Sequence, residues 1–411
     1  MEIRPILSAL LRNKTGPILV ALQVALSLAI LANAAHIVNE RRAVAARPSG
    51  LSDEHSTFYV TVRSLSNDTP EQRLANIKRQ TALLRAVGGV ASVAHVSQMP
   101  LSRSGSNTGV AVNDRQDKPS AVASQYVSGD SLVQTFGLKL VEGRDFLPGE
   151  LLDINEDTTA DPPPQVMLTK PLADKLWPDQ PAVGKTMYFG TGKDARGVQV
   201  VGVVQGLMSA HAEVGERGEQ SVIMPGRLYG SEPVVLYAVR TEPGQRDRVM
   251  KEAEEALHKS SATPMITKLK TVDEDRKDRY RADVALQWML VTVSVLLLLI
   301  TASGIVGMAS LWVTQRRKQI GVRRALGAKK TDILRYFITE NFMITSAGVF
   351  GGVALGLALN QLLVSKLEMA RLPAGYLVFG ALGFWLLGVA AAYGPAWRAA
   401  SISPATATRS V

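Results

Sequence analysis

The chain has 411 residues, 46 % of them hydrophobic and 20 % charged, with a net charge of +10 and no cysteine. At roughly 150 residues per domain there is room for two or three units, and the lack of cysteine excludes disulfides, thiolate metal sites and thiol nucleophiles. The excess charge points either to nucleic acid or to a membrane, and its distribution decides between them.

Residues 1–14 place Ile3, Ile6, Leu7, Leu10 and Leu11 at helical spacing, with Arg4, Arg12 and Lys14 available for lipid phosphates. This predicts an interfacial amphipathic helix, a frayed basic terminus being the plainer reading. Thr15–Asn39 then carries no Asp, Glu, Lys or Arg, and neither do Val284–Gln315, Asn341–Ser365 and Leu372–Trp397. These stretches run 25, 32, 25 and 26 residues, each longer than the ~20 needed to cross a hydrocarbon core. One charge at the bilayer centre costs roughly 2.5–3.5 kcal/mol on insertion scales, so four such gaps mark four transmembrane helices. A basic start and Ala32-Asn33-Ala34 also fit a cleaved signal peptide, but the uncharged run is long and Arg41 and Arg42 follow it closely.

Charge sorts by segment. Residues 1–14 sum to +2, Arg316–Glu340 to +6, and Arg398 with Arg409 adds +2, while the remainder sums to zero. All the excess therefore lies on alternate connections, which is the positive-inside pattern, with both termini and the 316–340 loop cytoplasmic. Basicity reports topology here, and nucleic acid is not an expected partner.

Between the first two spans lies an external domain covering 40–271. "STFYVTVR" (Ser56–Arg63) alternates like a half-buried strand. Thr69-Pro70-Glu71-Gln72 supplies an N-cap, a proline at the first helical position and a capping-box glutamine. Leu74, Ile77, Thr81 and Leu84 follow on one face, Gly88-Gly89 stops the helix, and Val90–Val96 is a second strand. The order recurs as a strand at Pro233–Arg240, a helix from about Asp247 to His258, and a strand at Pro264–Leu269. Two β-α-β units make a split, ferredoxin-like sandwich. The insertion between them, about 121–230, reads as a β-rich lobe, Val198–Val204 being its clearest buried strand.

Val272–Asp283 is highly charged, with Asp273/Lys277, Asp275/Arg279 and Arg279/Asp283 at i,i+4 spacing. No Gly or Pro separates it from Val284, which predicts one continuous helix and a stalk about 18 Å long beyond the membrane. Such a rod transmits displacement, or merely holds a domain away from lipid.

Chemistry is sparse. The histidines (His36, His55, His95, His211 and His258) show no metal-ligand spacing. Gly184-Lys185-Thr186 lacks the glycine a phosphate loop needs five positions earlier, where Asp179 stands. No catalytic residue, cofactor site or metal site is expected. The spans hold Gln23, Asn33, Gln287, Thr301, Ser303, Thr345 and Asn360, and no ionisable side chain except His36, so an ion-coupled carrier is disfavoured. Gly304, Gly307, Gly348, Gly351, Gly352 and Gly356 suit close helix packing.

The most distinctive segment is "RRKQIGVRRALGAKKTDILRYFITEN". It reads as a short basic helix ending at Gly327, then a new helix capped by Thr331 that enters the third span. Ile320, Ala325 and Leu326 are the apolar anchors for a partner groove and the arginines its rim. A loop resting on lipid headgroups fits the composition equally.

This loop resembles the signature of FtsX/MacB-type ABC transporter permeases through Arg316, Arg317, Ile320, Gly321, Arg323, Arg324, Ala325, Leu326, Gly327, Ala328 and Glu340. The tail is similar to the family's closing segment through Pro395, Arg398, Ala399, Ala400 and Pro404. Gly137–Phe146, Val166–Thr186 and Val198–Val204 resemble parts of the MacB-type periplasmic domain. MacB carries a fused ATPase, whereas the first span here begins near residue 15, so the expected ATPase is a separate subunit that holds ATP and Mg.

The resemblance implies a four-span α-helical protein of the bacterial inner membrane with a large α+β periplasmic domain. Its expected partners are ABC ATPase subunits, a second permease (identical or related) and a periplasmic adaptor, besides lipid. ATP-driven motion would pass from the 316–328 helix through the second span and the stalk residues Asp273, Asp275, Lys277, Arg279 and Asp283, extruding a substrate. A regulator of a periplasmic enzyme, a lipoprotein-releasing permease and a scaffold without ATPase stay open as alternatives.

Overall fold

The structure is a computed structural model, and it describes residues 14–213, 215–261, 263–367 and 371–402. The helix expected over 1–14 lies outside these residues apart from Lys14, as does the tail beyond 402. The chain divides into two compact units, one of residues 44–282 and one of residues up to 43 with those from 283 onward.

In chain order the elements begin with α1 (Thr15–Ala45), β1 (Thr57–Ser64), α2 (Pro70–Arg85), β2 (Val90–His95), β3 (Asn107–Ala111), β4 (Ala121–Ser128) and α3 (Leu132–Phe136). There follow β5 (Leu140–Gly143), β6 (Leu152–Asn155), β7 (Gln165–Thr169), α4 (Lys170–Leu176), β8 (Thr186–Phe189), β9 (Arg196–Val204) and β10 (Ser221–Tyr229). The rest are β11 (Val234–Thr241), α5 (Arg246–Ser260), β12 (Met265–Thr271), α6 (Val272–Gln315), α7 (Arg317–Ala325), α8 (Lys330–Leu367) and α9 (Ala374–Ala400).

In the 44–282 unit, β1-α2-β2 and β11-α5-β12 interleave into one antiparallel sheet of order β12-β1-β11-β2. This is the split β-α-β sandwich that the periodicity predicts. Gln72 Oε1 accepts the Thr69 N–H at 2.9 Å, and Thr69 Oγ1 accepts the Gln72 N–H at 3.4 Å, forming the expected capping box. Alternation sends Phe58, Val60, Val62, Tyr237 and Val239 to one face, where Ile77, Leu84, Val249, Ala253 and Leu257 cover them. Tyr59 and Ala238 point the other way, into a core shared with Tyr126, Phe136 and Met208.

The inserted lobe is a sheet that closes on itself. Pairing runs β4-β3-β8-β9-β7-β10, and β10 returns to β4 in parallel register. The lobe starts earlier than the expected 121, because Asn107–Ala111 pairs with both β4 and β8. Val110, Val166, Leu168, Val198, Val200 and Val222 fill its interior.

Four helices among the described residues, α1, α6, α8 and α9, are long and apolar enough to cross a membrane. Within their unit, small residues bring backbones together. A Cβ on Gly348 would meet Ala21 O and Val24 Cβ at 2.7 Å, and one on Gly352 would meet Leu28 Cβ at 2.9 Å, so α8 lies tightly on α1. The intramembrane polar groups serve packing as well. Ser27 and Thr301 hydroxyls share a 2.8 Å hydrogen bond, Asn33 donates to Gly356 O, and Asn341 donates to Gly388 O.

Candidate functional site

Helix α6 ends at Gln315 and α7 begins at Arg317, so Arg316 alone forms the joint. Its guanidinium Nη1 donates to both carboxylate oxygens of Glu340 at 2.9 Å, and it lies 5.9 Å over the Trp312 ring. Glu340 is only 1 % exposed. Two residues of the expected coupling set therefore pair with each other. They fasten the end of α6 to α8, 24 positions along the chain, and are not presented to a partner.

Helix α7 is two-faced. Ile320, expected as a docking anchor, is 4 % exposed and packs with Ile333, Phe337, Ala396, Ala399 and Ala400 of α8 and α9. Burial in the chain's own core removes it from the outward face. That face carries Arg317, Lys318, Ala325, Val322 at 51 % exposure and Leu326 at 83 %. Gly321 is buried. Arg323 lies 5.1 Å over the Tyr336 ring, and Arg324 donates to Ala328 O at 3.1 Å.

The Leu326-Gly327-Ala328 run has a backbone explanation. The Ala328 N–H bonds to Arg323 O at 3.1 Å and the Gly327 N–H to Arg324 O at 3.2 Å. Gly327 has φ +98°, which an L side chain resists. This is a Schellman stop, which satisfies two orphan carbonyls and turns the chain sharply. Helix α8 then starts at Lys330, and Asp332, in its first turn, reaches back so that its Oδ2 accepts the Lys329 N–H at 2.9 Å. Thr331, expected as the cap, lies inside the first turn.

The Val272–Asp283 segment continues into the span without a break, as one helix. Its part within the 44–282 unit is not a solvated rod, because Val272 and Tyr280 belong to that unit's core. Asp273 accepts from His55 at 2.8 Å and from Arg246 at 3.0 Å, and does not pair with Lys277, which is exposed. Asp275, 1 % exposed, is held by Lys270 at 2.5 Å. Arg279 donates to His211 O and Ala212 O at 3.0 and 2.9 Å. In the other unit, Asp283 forms an ion pair with Arg41.

Sequence reasoning passed over Arg276, which anchors the segment most firmly. It donates to Glu54 at 2.6 and 2.8 Å and to Ala45 O at 2.8 Å. Burial raises the Glu54 pKa, but the hydrogen bonds from Arg276 and Ser49 outweigh it and hold the carboxyl below its usual 4.5. No local spacing announces a contact 222 positions apart.

Residues 24–256 match the family described as the MacB-like periplasmic core domain, and residues 291–404 match the FtsX-like permease C-terminal family. The macrolide export ATP-binding/permease protein MacB of Chromobacterium violaceum is 28 % identical over 287 residues, which cover 67 % of this chain and 42 % of that protein. The pyoverdine export ATP-binding/permease protein PvdT of Pseudomonas syringae pv. syringae is 36 % identical over 133 residues, 32 % of this chain and 20 % of that protein. The chain thus spans less than half the length of these relatives. The solved periplasmic region of MacB from Actinobacillus actinomycetemcomitans is 16 % identical, with a TM-score of 0.35, over 57 % of this chain and 97 % of that one.

Proposed function

The chain belongs to the MacB/FtsX-like family of ABC transporter permeases, and from that premise we propose that it is the membrane subunit through which an ABC ATPase drives export of a substrate. The ATPase binds ATP and Mg, and this chain's residues receive and redirect the motion. The observation that carries the reading is the division of labour on α7. Its outer face offers Val322 and Leu326 among arginines and lysine, while its inner face is keyed to α8 and α9 through Ile320. An apolar knob with a basic rim is the chemistry of a helix docking into a groove.

A push on α7 reaches α8 and α9 through that apolar seam, and reaches α6 and α8 through the Arg316–Glu340 pair. Helix α6 then carries it unbroken to Val272. A second permease, identical or related, completes the unit in the inner membrane, and both termini face the cytoplasm. The experiment is affinity purification in mild detergent, followed by ATP hydrolysis in the eluate. Wild type should retain an ABC ATPase and its activity, and Val322→Glu with Leu326→Glu should lose both. Equal retention by the double variant would contradict the proposal.

A further inference from the structure

Helices α1 and α9 touch twice along one stretch. A Cβ on Gly380 would come within 2.6 Å of Leu28 Cδ1, and the rings of His36 and Tyr376 lie 5.4 Å apart. Beside these contacts the side chains are too short to fill the seam. Ala32 and Ala35 on α1 and Gly375 on α9 leave a groove of about 480 Å³, walled also by Leu31, Tyr376 and Phe379. Ala35 and Phe379 are exposed, so the groove is open along its outer side. Its part of α1 belongs to the uncharged run 15–39, which places the opening in hydrocarbon and not in water.

Positive charge stands at one end of this groove. Arg42 projects from the same face of α1 as Ala35, two helical turns further on and about 10 Å along the axis. Its neighbour Arg41 is taken by Asp283. Arg42 itself is exposed, with its Nε resting on Gln287 Oε1 at 3.4 Å. From the α9 side, Arg371 is exposed just before Pro373, which also lines the groove. Among the described residues, no carboxylate lies within ion-pair distance of Arg42 or Arg371. The planar fork of an arginine matches two phosphate oxygens. A second copy seated on this face about a twofold axis would bring Arg42 toward its own counterpart, and like charges repel. The chemistry therefore favours an amphiphile with an anionic head over another permease.

We propose that this groove holds an acyl chain of an anionic phospholipid whose phosphate sits on Arg42 and Arg371. The site lies within the unit formed by residues up to 43 and from 283 onward. It requires no ATPase, so its failure would leave the reading of α7 untouched.

The test is native mass spectrometry of the full chain released from mild detergent. The chain is titrated with palmitoyl-oleoyl phosphatidylglycerol and, separately, with phosphatidylcholine carrying the same chains. The first lipid bound should favour phosphatidylglycerol roughly fivefold or more. Arg42→Gln with Arg371→Gln should abolish that preference. Both arginines are exposed, so the double variant should fold, and an unchanged melting temperature checks this. Ala35→Trp, which fills the groove, should weaken binding of both lipids. Equal binding of the two lipids, a preference that survives in the double variant, or wild-type binding of both by Ala35→Trp would overturn the proposal. Loss of a dimer in Ala35→Trp with lipid binding unchanged would overturn it too, by assigning the groove to a second copy.

Discussion

Arg316 and Glu340 illustrate why residue type and residue role differ. In the sequence both belong to a basic loop suited to a partner, yet in the structure they neutralise each other with Glu340 fully buried. Removing one partner strands a buried charge, at a cost of roughly 3–5 kcal/mol, whereas replacing both by apolar groups is often neutral. Arg316→Met should therefore lower the thermal stability of the detergent-solubilised protein sharply, because it strands the Glu340 carboxylate, while Arg316→Met with Glu340→Leu should recover most of the loss. Equal damage in the double variant would argue against the pairing. Glu54 makes a prediction in pH. Its folded pKa lies below the usual 4.5, so its contribution is complete above that value and is lost as pH falls through the folded pKa. Acid melting curves of Glu54→Gln should show a smaller loss of stability over that interval than wild type.

At the scale of elements, helix contacts depend on what is missing as much as on what is present. Gly348 and Gly352 sit one turn apart on α8, and a Cβ at either would run into α1 backbone or Cβ atoms within 3.0 Å. Gly348→Leu with Gly352→Leu should force α1 and α8 apart. We expect a loss of more than the ~1–3 kcal/mol typical of one overpacked site, measurable as a lower melting temperature. Leucine at Gly307, where a Cβ meets nothing within 4 Å, is the matched control and should be neutral. Much of this level was legible in the sequence. Uncharged runs located the four apolar helices, alternation with a capping box located the first β-α-β unit, and the recurrence of that order with an apolar helix face located the second. The closure of β4 onto β10 was not legible, because a parallel contact between strands about 100 residues apart leaves no local trace. The inward turn of Ile320 was also hidden, since an apolar residue for a partner and one for the core look alike until α8 and α9 are in place. The Ala-Leu-Gly-Ala run was visible as a motif, but its Schellman hydrogen bonds and the left-handed Gly327 emerge only in three dimensions.

For the molecule as a whole, the proposed function makes α7 the input and α6, α8 and α9 the outputs. The Val272–Ala282 part of α6 is bound into the 44–282 unit by Arg276, Arg279 and the buried Val272 and Tyr280. Within that unit Arg276 and Arg279 tie this part of α6 to the backbone at Ala45 and Ala212, and the proposed function uses these ties to pass on a displacement of α6. Arg276→Ala should therefore uncouple, lowering substrate export while leaving ATPase association intact; equal loss of both would point to misfolding. The proposed function seats the ATPase on the outer face of α7. The chain contains no cysteine, so Val322→Cys and Leu326→Cys can each be read singly by maleimide labelling in nanodiscs. Both thiols should react quickly in the permease alone and become protected when the ABC ATPase is bound. Equal labelling rates with and without the ATPase would contradict that seating.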